Sequence, residues 1–395
     1  MDYIFSDKIA SLKPSAIREI FKSLTDPSVI SFAAGNPAPE SFPVTELSEL
    51  SARLFAEEAA TALQYGITEG YTPLREAVAV RQKDKFDIGG AGESTLIVSG
   101  GQQGIELTCK VLCNEGDVVL CEDPSFIGAL NSFRSNGSKL VGVPMEADGI
   151  CVDALEKALR TTPHVKLLYL IPTFQNPTGI TMSLEKRKAV LQLAKQYGVM
   201  ILEDNPYGEL RFAGRDIPTL KSMGTDGQVI YCSSFSKILS AGMRVGFVIA
   251  PEEIAKKMTV AKQGEDVHTN LFFQMLCYRY MTEYDLDGHI AAINDLYRRK
   301  CALMLSCIDR YIPQDIATFT RPEGGLFIWG TLTGRTDSSD FVQGALSQKV
   351  AVVPGSAFLC DTAATSPSFR LNYSTPTDEQ IEEGVRRLGK VCRSL

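Results

Sequence analysis

Residues 228–250 read QVIYCSSFSKILSAGMRVGFVIA. Two apolar, strand-like runs, 229–232 and 245–250, flank a connection of small hydroxyl residues that carries Lys237, with Arg244 seven positions further on. Runs this short and this apolar suit strands buried on both faces, as in a sheet covered by helices. A lysine between two such strands sits where burial and neighbouring cations penalise its ammonium form, which a covalent role for the amine requires. Ser234, Ser236 and Arg244 add hydroxyl and guanidinium donors for an anion, the arginine in a fork geometry. Taken alone, the same loop reads as an ordinary solvated turn, and the rest of the chain has to decide.

From about residue 94 short apolar strands alternate with helices. The strands are expected at 95–99, 118–122, 139–143, 167–171, 199–203, 229–232 and 245–250, with helices at 102–112, 153–159 and 184–197 among them. This alternation predicts an α/β fold: a mostly parallel, seven-stranded sheet sandwiched by helices. Beyond Ala250 the pattern turns helical, with a long helix around 290–308, and the last ninety residues mix helices with strands at 326–329, 350–353 and 369–373. That mixture suggests a smaller α+β domain. Towards the N-terminus, Ile17, Ile20, Phe21 and Leu24 fall at helical spacing after Ser15, a candidate cap, and Arg18 projects from the flank of that stripe. The segment 31–43, SFAAGNPAPESFP, is irregular, and helices follow at 45–63 and from Leu74. The expected division is an N-terminal segment, 1–45, joining the small domain as a cover of the site, a large domain, 46–290, and a small domain, 291–395. The boundary falls between 280 and 300.

Composition narrows the function. A chain of 395 residues with a net charge of −7 and no basic run gives nucleic acid little to bind. Its start, MDYIFSDKIA, lacks a positive region leading into a long apolar run, and no later segment is apolar for long enough to span a bilayer, so a cytoplasmic protein without membrane attachment is expected. Ten scattered cysteines, most inside apolar runs, read as reduced core thiols. Cys109 and Cys113 are helically spaced, yet no second pair and no nearby histidine completes a metal site; the three histidines, His164, His268 and His289, lie far apart in sequence.

In a sheet of this kind ligands collect beyond the carboxyl ends of the strands. Polar, Gly-rich or Pro-rich residues stand just after five of the expected strands. They are Gly100 to Gln103, Asp123 to Phe126, Pro172-Thr173 leading to Asn176-Pro177, Asp204 to Tyr207, and Ser233 to Lys237. Gly100 and Gly101 end a strand and open a helix, so free amides and the helix dipole make an anion site, although many strand-to-helix turns use glycine without one. Asp204 closes a buried run and needs a cationic or protonated partner; a protonated ring nitrogen and a structural salt bridge both satisfy that need. Phe126 offers a ring face to a planar ligand or packs in the core. Asn176 and Tyr207 can bond a phenolate-like oxygen, Arg370 can clamp a carboxylate bidentately, and Gly35 and Asn36 can approach a ligand closely or simply link two elements.

An anion site, a stacking ring, an acid for a ring nitrogen, two partners for a ring oxygen and an amine nucleophile together describe pyridoxal phosphate. Here the chain resembles the fold-type I pyridoxal-phosphate aminotransferases of class I/II, within them the group that includes 2-aminoadipate, kynurenine and aromatic aminotransferases. The matching stretches are SAIREI, SFAAGNPAPESFP, YGITEGYTPLR, SGGQQG, EDPSF, PTFQNPTG, EDNPYGELRF, SSFSKILSAGMRVGF, RPEGGLFIW and FRLNYS, in family order over nearly the whole chain. The resemblance implies that Lys237 holds the cofactor's aldehyde and shuttles a proton between the substrate α-carbon and the cofactor. It implies that Asp204 partners the ring nitrogen, that Asn176 and Tyr207 bond the ring oxygen, and that Gly101, Gln102, Ser234, Ser236 and Arg244 form the phosphate cup. Tyr65 matches a tyrosine that reaches the neighbouring subunit's phosphate, which implies a homodimer with shared sites. Arg370 matches the binder of the substrate α-carboxylate, helped by Gly35 and Asn176. The stacking position, often tyrosine in this group, is Phe126 here, so stacking is kept and a hydroxyl is lost.

The function implied is transfer of an amino group between an L-amino acid (2-aminoadipate, aromatic or aliphatic) and a 2-oxo acid, with glutamate and 2-oxoglutarate as the shared pair, by a ping-pong mechanism. Arg18 resembles an arginine that in some members meets the distal carboxylate of an acidic substrate; a surface salt bridge is its other reading. A C–S β-lyase uses the same Lys237, Asp204 and Arg370 and stays open. A ligand-sensing regulator on this fold would carry a DNA-binding segment ahead of a pattern that here begins almost at Met1.

Overall fold

The apolar runs of the sequence form strands in the computed structural model of the protein, which describes residues 3–10, 26–224 and 226–395. The helix expected over 11–24, with Ser15 and Arg18, lies outside the described residues. In chain order the strands are β1 (Ile30–Ser31), β2 (Glu93–Val98), β3 (Val118–Asp123), β4 (Lys139–Glu146), β5 (Gly149–Ile150), β6 (Val165–Leu170), β7 (Met200–Asp204), β8 (Val229–Ser234) and β9 (Gly246–Pro251). After them come β10 (Ala317–Phe319), β11 (Phe327–Leu332), β12 (Val350–Ala351), β13 (Val353–Pro354) and β14 (Ser368–Asn372).

The large sheet runs β2-β9-β8-β7-β6-β3-β4-β5. Its centre, β8 through β4, is parallel, whereas β9 is antiparallel to both β8 and β2. The seven expected strands are all present. The eighth, β5, is a two-residue return of β4, too short to leave a period in the sequence.

Alternation along these strands feeds two separate cores. Leu168 and Leu170 of β6, Ile201 of β7 and Val229 of β8 pack on one face with the helices Val152–Thr161 and Leu184–Tyr197. Leu167 and Tyr169 of β6, Leu202 of β7 and Ile230 and Cys232 of β8 face the other way, towards the helix Gly101–Leu112. Both faces are covered, which is why the strands read as continuous apolar runs rather than as alternating ones. The helix Leu184–Tyr197 begins where the Ser183 side chain accepts the Lys186 amide and ends at Gly198 in the left-handed region, a start and a stop that the sequence displays.

A second sheet, β10-β11-β14-β13, is antiparallel, and β1 pairs in parallel with β12. Past β1, the Phe32 amide donates to the Ala351 carbonyl and the Asn372 amide to the Phe32 carbonyl, both at 2.8 Å. The irregular 31–43 segment is thereby held among the C-terminal strands, and Gly35 and Asn36 arrive at the carboxyl ends of the large sheet. The helix Leu286–Tyr311 is continuous across the expected boundary at 290. Among the described residues no helix is long and apolar enough to cross a membrane, and no group of three or more His, Cys, Asp or Glu side chains is placed to hold a metal ion. The ten cysteines are free thiols, most of them buried.

Candidate active site

The loops after β2, β3, β6, β7 and β8 meet in one cleft of about 470 Å³, and the 31–43 segment and β14 close it from the other side. Twelve of the fourteen expected site residues line it: Gly35, Gly101, Gln102, Phe126, Asn176, Asp204, Tyr207, Ser234, Ser236, Lys237, Arg244 and Arg370. Tyr65 does not line the cleft of its own chain; it is 80% exposed, edge-on to the His268 ring at 5.8 Å. Arg18 lies outside the described residues.

Lys237 Nζ donates to the Gly35 carbonyl at 2.7 Å and lies 5.9 Å from the centre of the Tyr207 ring. Burial, then the charges of Arg370 and Arg244, lower the amine to about 8, so a substantial fraction is neutral near physiological pH. Asp204 ends β7 with its carboxylate 4% exposed. Burial pushes it up to about 7, opposed by the Tyr169 hydroxyl, which donates to Asp204 Oδ2 at 2.7 Å. Tyr169 was not singled out from the sequence: inside the apolar run LLYLI it reads as core. Its register opposite Leu202 puts it on the same sheet face as Asp204, two residues on, within reach of the carboxylate.

Arg370 Nη1 donates to Asn176 Oδ1 at 2.9 Å and Nη2 to the Ala33 carbonyl at 2.7 Å, while its buried Nε has no partner. The guanidinium lies between the rings of Phe327 and Phe358, 4.3 and 4.9 Å from their centres, and burial lowers it to about 10. These two rings are further additions to what the sequence suggested, since each stands in a run that reads as core. Asn176 Nδ2 and the Tyr207 hydroxyl are 3.4 Å apart; burial pushes the Tyr207 phenol up.

Opposite, Ser234 Oγ donates to Ser236 Oγ at 2.8 Å, and Arg244 reaches Ser236 Oγ and the Ser99 carbonyl, each at 3.3 Å. The helix Gly101–Leu112 points its N-terminus at the same spot. Gln102 turns its side chain away, donating to the Gly128 carbonyl and to Ser132 Oγ, both at 2.9 Å, so that its contribution to the cleft is its backbone. Phe126 stands at the head of the following helix, Ile127–Ser135.

Three cations, Lys237, Arg244 and Arg370, thus face one carboxylate, Asp204, and among the described residues none of the three is in an ion pair. Such a cleft calls for a ligand with at least two negative charges at separate ends and a protonated group in the middle. Pyridoxal phosphate with an amino acid substrate meets that requirement: a phosphate for Arg244 and the helix N-terminus, a carboxylate for Arg370, and a ring N–H for Asp204.

The family described as aminotransferase class I and II matches residues 27–388. The chain belongs to this family. An aromatic-amino-acid aminotransferase 1 of Thermococcus litoralis is 39% identical over 399 residues, covering 100% of this chain and 95% of the relative. The crystal structure of a kynurenine aminotransferase of Pyrococcus horikoshii, in complex with PMP, superposes with a TM-score of 0.95 at 35% identity, over 99% of this chain and 97% of that one. An α-aminoadipate aminotransferase of Thermus thermophilus, complexed with N-(5'-phosphopyridoxyl)-L-leucine, gives a TM-score of 0.90 at 38% identity, over 99% and 97%. The protein is therefore a pyridoxal-phosphate-dependent transaminase that moves an amino group between an L-amino acid and a 2-oxo acid by ping-pong exchange, and the β-lyase alternative is not favoured. When bound, pyridoxal phosphate supplies an aldehyde that captures amino groups and a ring that accepts electrons from the substrate α-carbon.

Proposed function

We propose that Lys237 holds the cofactor and carries the proton to and from the substrate α-carbon, and that Asp204 keeps the ring nitrogen protonated. Asn176 and Tyr207 bond the ring oxygen, and Phe126 stacks on the ring. Gly101, Gln102, Ser234, Ser236 and Arg244 bind the phosphate. Arg370, with Gly35 and Asn176, orients the α-carboxylate. The observation that carries this reading is the set of three unpaired cations around one carboxylate in a single cleft. A lysine lowered to about 8 exchanges protons readily at neutral pH, and the bidentate edge of Arg370 fixes which substrate bond faces it.

The donor is an aromatic amino acid, 2-aminoadipate or an aliphatic amino acid, as the activities and bound compounds of the relatives suggest, and glutamate and 2-oxoglutarate are the common pair. The wall beside Arg370 is aromatic, with Phe327 edge-on to Tyr207 at 5.8 Å, and suits an aromatic side chain. All three described cations have other tasks, so a distal carboxylate needs one more, and Arg18 is the candidate. In a panel of donors against 2-oxoglutarate, Arg18→Ala raises KM for glutamate or 2-aminoadipate more than for an aromatic amino acid; equal effects on both reject that role.

The working form is a homodimer in which Tyr65 reaches the partner's phosphate. Supporting this, Phe55, Leu63, Tyr65 and Ile67 are each at least half exposed, and Phe55 stacks on Phe272 at 5.0 Å beside the Tyr65–His268 pair. Mixing Lys237→Ala with Tyr65→Ala subunits restores activity that neither has alone, whereas no recovery on mixing contradicts shared sites. The large unit spans 46–290 and the small one 291–395 with the 1–45 segment, the helix Leu286–Tyr311 linking them. The many buried thiols suit the reducing cytoplasm.

A further inference from the structure

Behind the turn at Gly100 lies a cation that the cleft itself does not use. Lys262 is fully buried, and its Nζ donates to Gln103 Oε1 at 2.7 Å, to both Asp266 carboxylate oxygens at 2.7 and 2.9 Å, and to Thr269 Oγ1 at 3.1 Å. Ser99 joins this knot to the cleft. Its hydroxyl donates to Asp266 Oδ2 at 2.6 Å, its amide to Gln103 Oε1 at 2.8 Å, and its carbonyl accepts from Arg244. The next residue, Gly100, has φ 81, and a Cβ there would strike the Arg244 guanidinium, so the arginine lies directly against the turn that Ser99 anchors. The loop carrying Asp266 and Thr269 is itself constrained. Val267 has φ 64, which a β-branched side chain adopts only where its surroundings impose it, and His268 follows against Tyr65.

We propose that Lys262 and Asp266 are positioning residues for the cofactor phosphate: they fix the Ser99–Gly101 turn, and with it Arg244 and the helix N-terminus, while cancelling each other's charge behind the anion. The inference rests on the reading that Arg244 and this turn hold the phosphate. It has a sign. Lys262→Met leaves the Asp266 carboxylate uncompensated one hydrogen bond from the turn, where it opposes a phosphate dianion and loosens Gln103 and Thr269. Asp266→Asn keeps an acceptor for Ser99 and Lys262 and leaves surplus positive charge, so it harms anion binding less.

The test compares dissociation constants of the apo-protein for pyridoxal phosphate and for pyridoxal, which lacks the phosphate. Lys262→Met raises the first by about tenfold or more and leaves the second unchanged; Asp266→Asn has the smaller effect; and at saturating cofactor both variants regain the kcat of the unaltered protein. Weakening of both ligands alike, or of neither, overturns the proposal. Should Lys262→Met not fold, Ser99→Ala, which cuts the link from Asp266 to the turn but keeps the Lys262–Asp266 pair and the carbonyl that Arg244 needs, raises the constant for pyridoxal phosphate by a smaller factor and leaves that for pyridoxal unchanged. Arg244→Ala separates the two readings. If it too keeps the advantage of phosphate over no phosphate, the anion is held elsewhere and both readings fall; if only the Lys262 and Ser99 variants keep it, this one falls alone.

Discussion

Asp204 and Lys237 face one cleft, and the roles proposed for them make opposite demands, an acid that stays ionised and an amine that loses its charge. Burial works against the first and for the second. The Tyr169 hydroxyl is what counters burial at Asp204, and hydrogen bonds to charged groups are worth about 1.5–3 kcal/mol. Tyr169→Phe is accordingly expected to lower kcat about tenfold or more with little change in the amino acid KM, measured by steady-state kinetics. At Lys237 burial lowers the amine first, and the charges of Arg370 and Arg244 act in the same direction. The rate at which apo-protein captures pyridoxal phosphate, followed by absorbance, rises with pH and levels off above about 8 as the amine deprotonates. Arg370→Met removes a charge that favours the neutral amine, so this midpoint moves upward. Residues whose chemistry needs a loop were legible in the sequence, because a polar side chain just after an apolar strand stands out. Tyr169, Phe327 and Phe358 were not, since an aromatic residue in an apolar run has the same signature whether it fills space or holds a charged neighbour in place.

At the scale of elements, the helix Gly101–Leu112 sets where the proposed phosphate end of the cleft lies. It packs against β8 and β9 through Gly104, where an added Cβ would meet Cys232 Sγ and a Val248 methyl, both at 2.7 Å. Overpacking of this kind costs about 1–3 kcal/mol. Gly104→Ala is expected to lower the denaturant midpoint and to weaken cofactor binding together, because the helix has to back away from the sheet and its N-terminus moves with it. The seven main strands announced themselves by apolar runs buried on both faces. The two-residue strands β1 and β5 carry no period of their own, the strand expected at 350–353 is divided into β12 and β13, and β1 pairs with β12 across more than three hundred residues of sequence. Nor does local sequence reveal the Lys262–Asp266–Ser99 knot, whose members belong to different elements.

For the whole molecule, the cleft forms because a parallel sheet delivers five loops to one edge and the 31–43 segment, stitched into the C-terminal strands, closes over them. Holding acids there has a cost that shows in pH dependence. Glu122, fully buried, accepts from the Ile171 amide at 3.0 Å, leaves Oε1 without a partner, and is pushed up to about 7 from an ordinary 4.5. A carboxyl raised in the folded state favours folding below its unfolded value, and that contribution is lost as pH climbs through the folded one. The melting temperature of the apo-protein is thus expected to fall between about pH 4.5 and 7, and Glu122→Gln flattens the slope. The central claim, that loops remote in sequence bring one amine to the cofactor, has a more direct test. Holoenzyme reduced with borohydride and digested is examined by mass spectrometry for the phosphopyridoxyl mass. The account predicts that mass on the peptide containing Lys237 and nowhere else, with Lys237→Ala unlabelled; a label on another lysine, or a labelled and active Lys237→Ala protein, contradicts it.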